Sequence, residues 1–141
     1  MKFVAENENE FKNKTWRAIE SSIKSGFVLG LVGALGTGKT TLVKFIAKKL
    51  GCKTTVTSPT FIFSKEYSVS NNKGIESIKH IDLYRLKGMK KSRINEVLEW
   101  FEAKNSLVIV EWADLIDGKK FFDAIITIKF LSASKREVSI K

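Results

Sequence analysis

Apolar residues recur along this chain with two different periods, and the changes between them mark out its elements. Over residues 7–25, Phe11, Thr15/Trp16, Ile19 and Ile23 return every four positions, the spacing of one face of a helix. Asn7 followed by Glu10 has capping-box spacing, Trp16 belongs to the core side, and Gly26 marks the expected stop. Residues 27–32 form a short apolar run of strand length, and residues 41–50 return to helical spacing until Gly51, which suits the C′ position.

Residues 61–69 alternate with period two, Asn71-Asn72-Lys73-Gly74 is a turn cluster, and residues 75–84 are expected to return as an antiparallel arm. That arm places Ile78, His80, Asp82 and Tyr84 on one face and ends at Arg85. Ser92 is expected to cap a helix in which Ile94, Val97, Leu98 and Phe101 follow i, i+3, i+4, i+7, fading near Lys104-Asn105. Leu107-Val108-Ile109-Val110 suits a strand covered on both faces, and it runs directly into Glu111-Trp112. Residues 114–123 read as a loop, and residues 124–131 and 137–141 as a hairpin extending the sheet. With no repeat, low-complexity tract or linker, residues 1–141 read as one domain.

Composition narrows the class. A chain of 141 residues with 43% hydrophobic content buries about two-thirds of its unfolded surface and needs no covalent staple. The single cysteine, Cys52, excludes an intrachain disulfide and fits a reducing compartment. The longest apolar run is about half of a membrane span, and the first residues lack a signal-peptide core, so a cytoplasmic protein without a membrane partner is expected. The net charge of +10 attracts polyanions such as nucleotides or RNA, yet the lysines are scattered and suit a solvated surface equally well.

Chemistry concentrates between the first strand and the helix that follows. Gly33-Ala34-Leu35-Gly36-Thr37-Gly38-Lys39-Thr40 fits the phosphate-loop pattern G-x-x-x-x-G-K-[ST] without a mismatch, and a chance match is expected on the order of once in two hundred chains of this length. Glycines at 33, 36 and 38 free the backbone to turn its N–H groups inward, and the helix start adds unpaired amides and a positive dipole end. Lys39 supplies a point charge for the outer phosphates, and the Thr40 hydroxyl is placed to ligate magnesium. This strand, loop and helix predict an α/β fold of the P-loop NTPase type, three layers around a mixed, mainly parallel sheet with antiparallel hairpins.

In such enzymes a buried strand beside the loop strand ends in an acid that holds the metal. Glu111 fits that role, and Asp82, at the end of the other strand, competes for it. Trp112 suits either a cover for the nucleotide or a core position. Thr57-Ser58-Pro59-Thr60-Phe61 carries the only proline and makes a rigid, hydroxyl-bearing corner, either a plain turn or a switch sensing the terminal phosphate.

Together with Ser58-Pro59-Thr60-Phe61, His80-Ile81-Asp82-Leu83-Tyr84-Arg85-Leu86 and Val110-Glu111-Trp112, the loop sequence through Leu42 resembles the TsaE family, the bacterial ATPase of tRNA threonylcarbamoyladenosine biosynthesis. The resemblance implies that Gly36 to Thr41 (Gly36, Thr37, Gly38, Lys39, Thr40, Thr41) bind the phosphates of ATP, beside Gly33, which the loop pattern itself includes. It implies that Thr40 and Glu111 hold Mg2+, that Asp82 is needed for hydrolysis, and that Thr60 sits in a switch-like loop; the residues themselves predict that Lys39 and Glu111 are needed for hydrolysis as well. The start of the first helix, near Glu10, is implied to lie by the adenine. It further implies work with TsaB and TsaD, where TsaD transfers a threonylcarbamoyl group to tRNA and ATP hydrolysis sustains turnover; tRNA would be met through that complex. Ala34 departs from the aspartate many relatives carry there. A GTP-specific switch fits poorly, since Asn13-Lys14-Thr15-Trp16 lacks the final acid of N-K-x-D. A small-molecule kinase and a basic RNA-binding module with a structural nucleotide stay open as alternatives.

Overall fold

The structure is a computed structural model of the 141-residue chain and describes residues 1–57, 64–88, 90–102 and 104–141. In chain order the regular elements are β1 (Lys2–Ala5), α1 (Glu8–Ile19), β2 (Val28–Val32), α2 (Lys39–Lys49), β3 (Ser64–Ser68), β4 (Ser77–Asp82), α3 (Lys91–Leu98), β5 (Ser106–Glu111), β6 (Ala124–Phe130) and β7 (Arg136–Ile140). Short 3₁₀ turns at Tyr84–Leu86, Glu99–Phe101, Ala113–Leu115 and Lys119–Phe121 link them. Among the described residues the strands form one sheet in the order β1-β7-β6-β2-β5-β4-β3.

The centre of the sheet is parallel: β2 pairs with both β5 and β6, and β5 pairs with β4. The outer pairs β3–β4 and β6–β7 are antiparallel, as the two hairpins in the sequence require, and β1 joins β7 antiparallel as well. The buried run of β5 follows from its position. Leu107 and Ile109 enter the core under α1 and α2, while Val108 and Val110 enter the core on the opposite face, with Val97, Phe101, Leu86 and Ile116. A strand covered on both faces has no polar side to show until its end. Three layers result, with α1 and α2 on one side of the sheet and α3 on the other.

Local chemistry explains the helix ends. Asn7 Oδ1 accepts the Glu10 N–H at 2.9 Å, and Glu10 Oε2 accepts the N–H of Glu6 at 2.8 Å, one residue before the partner in a standard capping box. At the other end of α2, Gly51 N donates to Lys48 O and Cys52 N to Ala47 O, a Schellman motif with Gly51 at φ +84°.

Several sequence expectations are corrected. Helix α1 stops at Ile19 rather than Ser25; Ser22 and Ile23 both donate to Ile19 O in a turn that still brings Ile23 into the core, so apolar spacing outruns the helix. Ser92 lies inside α3, whose N-cap is Lys90 with no side-chain cap. The β4 arm ends at Asp82, because its Oδ1 accepts the Tyr84 N–H at 2.9 Å and turns the chain into a 3₁₀ helix, so Tyr84 leaves the strand face. The stretch expected as a loop over 114–123 holds the 3₁₀ turn Lys119–Phe121 and most of the turn Ala113–Leu115, and β1 has no counterpart in the expectation. Pro59 and Thr60 lie outside the described residues. Among the described residues no helix is long and apolar enough to cross a membrane.

Candidate functional site

The site forms where the parallel strands end. Register sets Leu31 of β2 opposite Glu111 of β5, and Asp82 of β4 opposite the same Glu111. Side chains alternate along a strand, so His80, Asp82 and Glu111 share the face that carries α2. The chain leaves β2 into the glycine loop, and α2 starts at Lys39 directly above these acids. Ligand sites of open α/β sheets lie outside such carboxyl ends.

The loop is held by its own atoms. Thr37 Oγ1 donates to Ala34 O at 2.9 Å, and Lys39 Nζ donates to Gly33 O at 2.6 Å and Ala34 O at 2.9 Å. A Cβ at Gly33 would meet Thr37 Oγ1 at 2.6 Å and Ile128 O at 2.8 Å, so only glycine admits this turn. Gly38, the N-cap of α2, sits at φ +110°, where an L side chain is strained. The first hydrogen bond of α2 that reaches back to it is Leu42 N to Gly38 O, which leaves the amides of the first turn facing out of the helix end.

Beneath the loop, Thr40 Oγ1 donates to both carboxylate oxygens of Glu111, each at 3.0 Å. His80 Nε2 lies 2.5 Å from Glu111 Oε2, with the ring wholly buried and its Nδ1 without a hydrogen-bond partner. A carboxylate only accepts, so Nε2 carries the hydrogen. Glu111 is thus fixed from two sides and only 3% exposed. Burial raises the Asp82 carboxyl above its ordinary pKa, opposed in part by the Tyr84 N–H, and the neighbouring Glu111 adds to the rise. Burial also pushes the Lys39 ammonium below the ordinary lysine range, with Glu111, Asp82 and Asp114 pulling the other way.

Trp112 adopts φ +61°, rare for a bulky residue, and this turn carries its ring to 4.3 Å from Lys39 Nζ and 5.0 Å from the Tyr84 ring. Leu35, Gly36, Gly38, Lys39, Thr40, Thr41, Asp82, Tyr84, Glu111 and Trp112 together line a cleft of about 290 Å³. Most of the residues singled out in the sequence therefore converge. Gly33 and Thr37 shape the loop from behind, Thr37 being buried, and border a separate hollow with Trp112, Asp114 and Phe130. Thr60 lies outside the described residues.

Other features escaped the sequence reading. Period two sets His80 on the face of Asp82, but its hydrogen bond to Glu111 needs the pairing of β4 with β5, which no residue pattern spells out. A second groove, about 750 Å³, continues from Thr41 between α1 and α2 and is lined by Glu8, Lys12, Lys44, Phe45, Lys48 and Lys49. Lys12 and Lys49 set their ammonium groups 5.6 and 5.4 Å from the Phe45 ring centre. Glu10, named by resemblance, turns instead to the Glu6 amide and to Lys14 at 3.3 Å.

Among the described residues no cluster of three His, Cys, Asp or Glu side chains suits a metal ion. A hydroxyl and a carboxylate are a smaller, hard-oxygen donor set of the kind that holds Mg2+ when phosphate and water oxygens supply the remaining ligands.

A family profile described as "Threonylcarbamoyl adenosine biosynthesis protein TsaE" matches residues 6–138. The chain is similar to the tRNA threonylcarbamoyladenosine biosynthesis protein TsaE of Bacillus subtilis, with 38% identity over 117 residues, 82% of this chain and 70% of that protein. It is similar to the protein of the same name from Aquifex aeolicus, with 34% identity over 142 aligned positions, 99% of this chain and 96% of that one. In three dimensions it is similar to the crystal structure of Bacillus subtilis YdiB, with a TM-score of 0.67 and 29% identity, covering 98% of this chain and 82% of that one. Matched from residue 6 to residue 138 and aligned almost end to end with a named relative, this chain belongs to the TsaE family of tRNA threonylcarbamoyladenosine biosynthesis proteins.

Proposed function

We propose that the chain is a Mg2+-dependent ATPase of the tRNA threonylcarbamoyladenosine pathway, hydrolysing ATP to sustain turnover of a TsaB–TsaD complex. The observation that carries this reading is the Thr40–Glu111 contact beneath the phosphate loop. The Thr40 hydroxyl lies 3.0 Å from each Glu111 oxygen, so a hydroxyl and a carboxylate already face each other beneath the loop, the hard-oxygen pair that suits Mg2+. Thr40 and Glu111 would hold the ion, which on binding supplies charge neutralisation for the phosphates.

The remaining chemistry belongs to the protein. Lys39 exchanges the carbonyls of Gly33 and Ala34 for phosphate oxygens, and the first-turn amides of α2 together with Gly36 and Gly38 cradle the same group. Trp112 covers Lys39 and narrows water access. Asp82, with its pKa raised by burial, orients the attacking water and accepts its proton. The nucleoside leaves the loop past Thr41 into the Lys-lined groove, where Phe45 offers a stacking face. Arg85, exposed on the turn after Asp82, is the in-chain arginine nearest in sequence to Asp82, and slow turnover without partners follows if it does not complete the charge.

Phosphate release from ATP, measured with Mg2+ and with excess EDTA, tests the proposal. Wild-type release is expected to need Mg2+ and to rise when TsaB and TsaD are added, and Lys39→Ala or Glu111→Ala to abolish it. Full activity in either folded variant removes that residue from the mechanism. Transfer of phosphate to a small metabolite in place of water would turn the reading to a kinase.

A further inference from the structure

Arg136, the first residue of β7, is a buried cation, 8% exposed, far from the phosphate loop in sequence. Its guanidinium lies 5.1 Å from the ring centre of Phe11 and 5.6 Å from that of Phe130. Its Nε donates to Thr37 O at 2.8 Å, and among the described residues no ion pair joins it to a carboxylate. A buried charge is retained at a cost, and here its directional hydrogen bond is given to the backbone of the loop rather than to an acid.

We propose that Arg136 is a positioning residue for phosphate binding: by holding the Thr37 carbonyl it turns the N–H of Gly38 into the cleft. A peptide unit is planar and its C=O and N–H point in opposite directions. Fixing the Thr37 oxygen on the Arg136 side therefore sends the Gly38 hydrogen to the other side, toward the cleft that Gly38 lines. The corner is packed from behind by the same groups. A Cβ at Gly38 would stand 3.1 Å from Phe11 Cε1 and 3.6 Å from Arg136 Nε. Helix α1 and strand β7 thus fix the last peptide of the loop before α2. An amide already aimed costs no reorganisation when an anion arrives. The inference rests on the reading that this loop binds a polyphosphate.

The test uses the full chain, 15N-labelled, titrated with a non-hydrolysable Mg·ATP analogue while the Gly38 amide is followed by NMR and affinity by calorimetry. In the wild type the Gly38 amide proton moves downfield as it bonds to phosphate. Arg136→Met is expected to lose that shift and to weaken binding about tenfold, the scale of one misdirected hydrogen bond to a charged group, while the Thr40 and Thr41 amides still respond. Arg136→Gln places its Nε2 the same number of bonds from the backbone as the arginine Nε, and is expected to restore the shift and bring affinity within about threefold of wild type. Arg136→Lys keeps the charge without that fixed donor and is expected not to restore it. Should the Met variant fail to give a dispersed spectrum, the Gln and Lys variants carry the comparison alone. A wild-type Gly38 shift persisting in folded Arg136→Met, or rescue by Lys and not by Gln, overturns the positioning role. A folded wild type that neither binds nor shifts overturns the phosphate-binding reading beneath it.

Discussion

His80 and Asp82, two residues apart on β4, act on the site in different ways. His80 steadies Glu111 through a hydrogen bond of 2.5 Å in a fully buried setting. Losing a hydrogen bond to a charged group is worth about 1.5–3 kcal/mol, so His80→Phe is expected to weaken Mn2+ binding in the nucleotide complex about tenfold or more, read by electron paramagnetic resonance. Asp82 carries the pH dependence. Its folded pKa is raised, chiefly by burial, above the ordinary 3.8, so the native state takes up a proton more readily than the unfolded chain. Its contribution to stability is then full below pH 3.8 and lost as pH climbs through the raised folded value. Asp82→Asn is expected to melt slightly above wild type at pH 7 in EDTA, with the difference shrinking as pH falls; the gain is small because the group keeps partial solvent contact. A variant that melts lower at pH 7 would contradict this account of Asp82. At this scale Lys39, Thr40, Asp82 and Glu111 were readable from residue type and position. The hydrogen bonds from His80 to Glu111 and from Arg136 to Thr37 were not, because the first depends on strand register and the second joins residues 99 positions apart.

Among the elements, the loop and helix α2 are the most demanding of sequence. Gly38→Ala would place a side chain at φ +110° and within 3.1 Å of Phe11, and such strain costs about 1–3 kcal/mol. A lowered thermal midpoint together with lost nucleotide binding is the expected outcome, and an unchanged melt would mean that the loop relaxes freely. At the other helix, Asn7→Ala removes the cap on the Glu10 amide and is expected to cost about 1 kcal/mol in urea denaturation. Element identity was largely legible because glycines, caps and apolar period agree. Boundaries were less so. Ile23 kept the helical spacing after α1 had ended, and Ser92 offered a cap that Lys90 supplies through backbone geometry alone. Strand β1 is too short to carry a period, and it forms because β7 offers an edge from Ser139 to Arg136.

For the molecule as a whole, β5 is the common wall of both cores and ends in Glu111. Ile109 is fully buried, and its replacement by Ala is expected to cost about 2–5 kcal/mol, a large share of the 5–15 kcal/mol typical of a domain; equilibrium unfolding in urea measures it. The layered fold could be read from the alternation of strand and helix, since a buried apolar strand beside a glycine loop leaves few arrangements. The Lys-lined groove could not, because Lys12, Lys44, Lys48 and Lys49 meet only once α1 packs on α2. The claim on which the rest depends is that this cleft takes a magnesium-bound triphosphate. Titration calorimetry of Mg·ATP into the folded protein tests it most directly: saturable one-site binding that disappears in EDTA and in Lys39→Ala is the predicted result, and absence of binding heat at several temperatures in wild-type protein would contradict it.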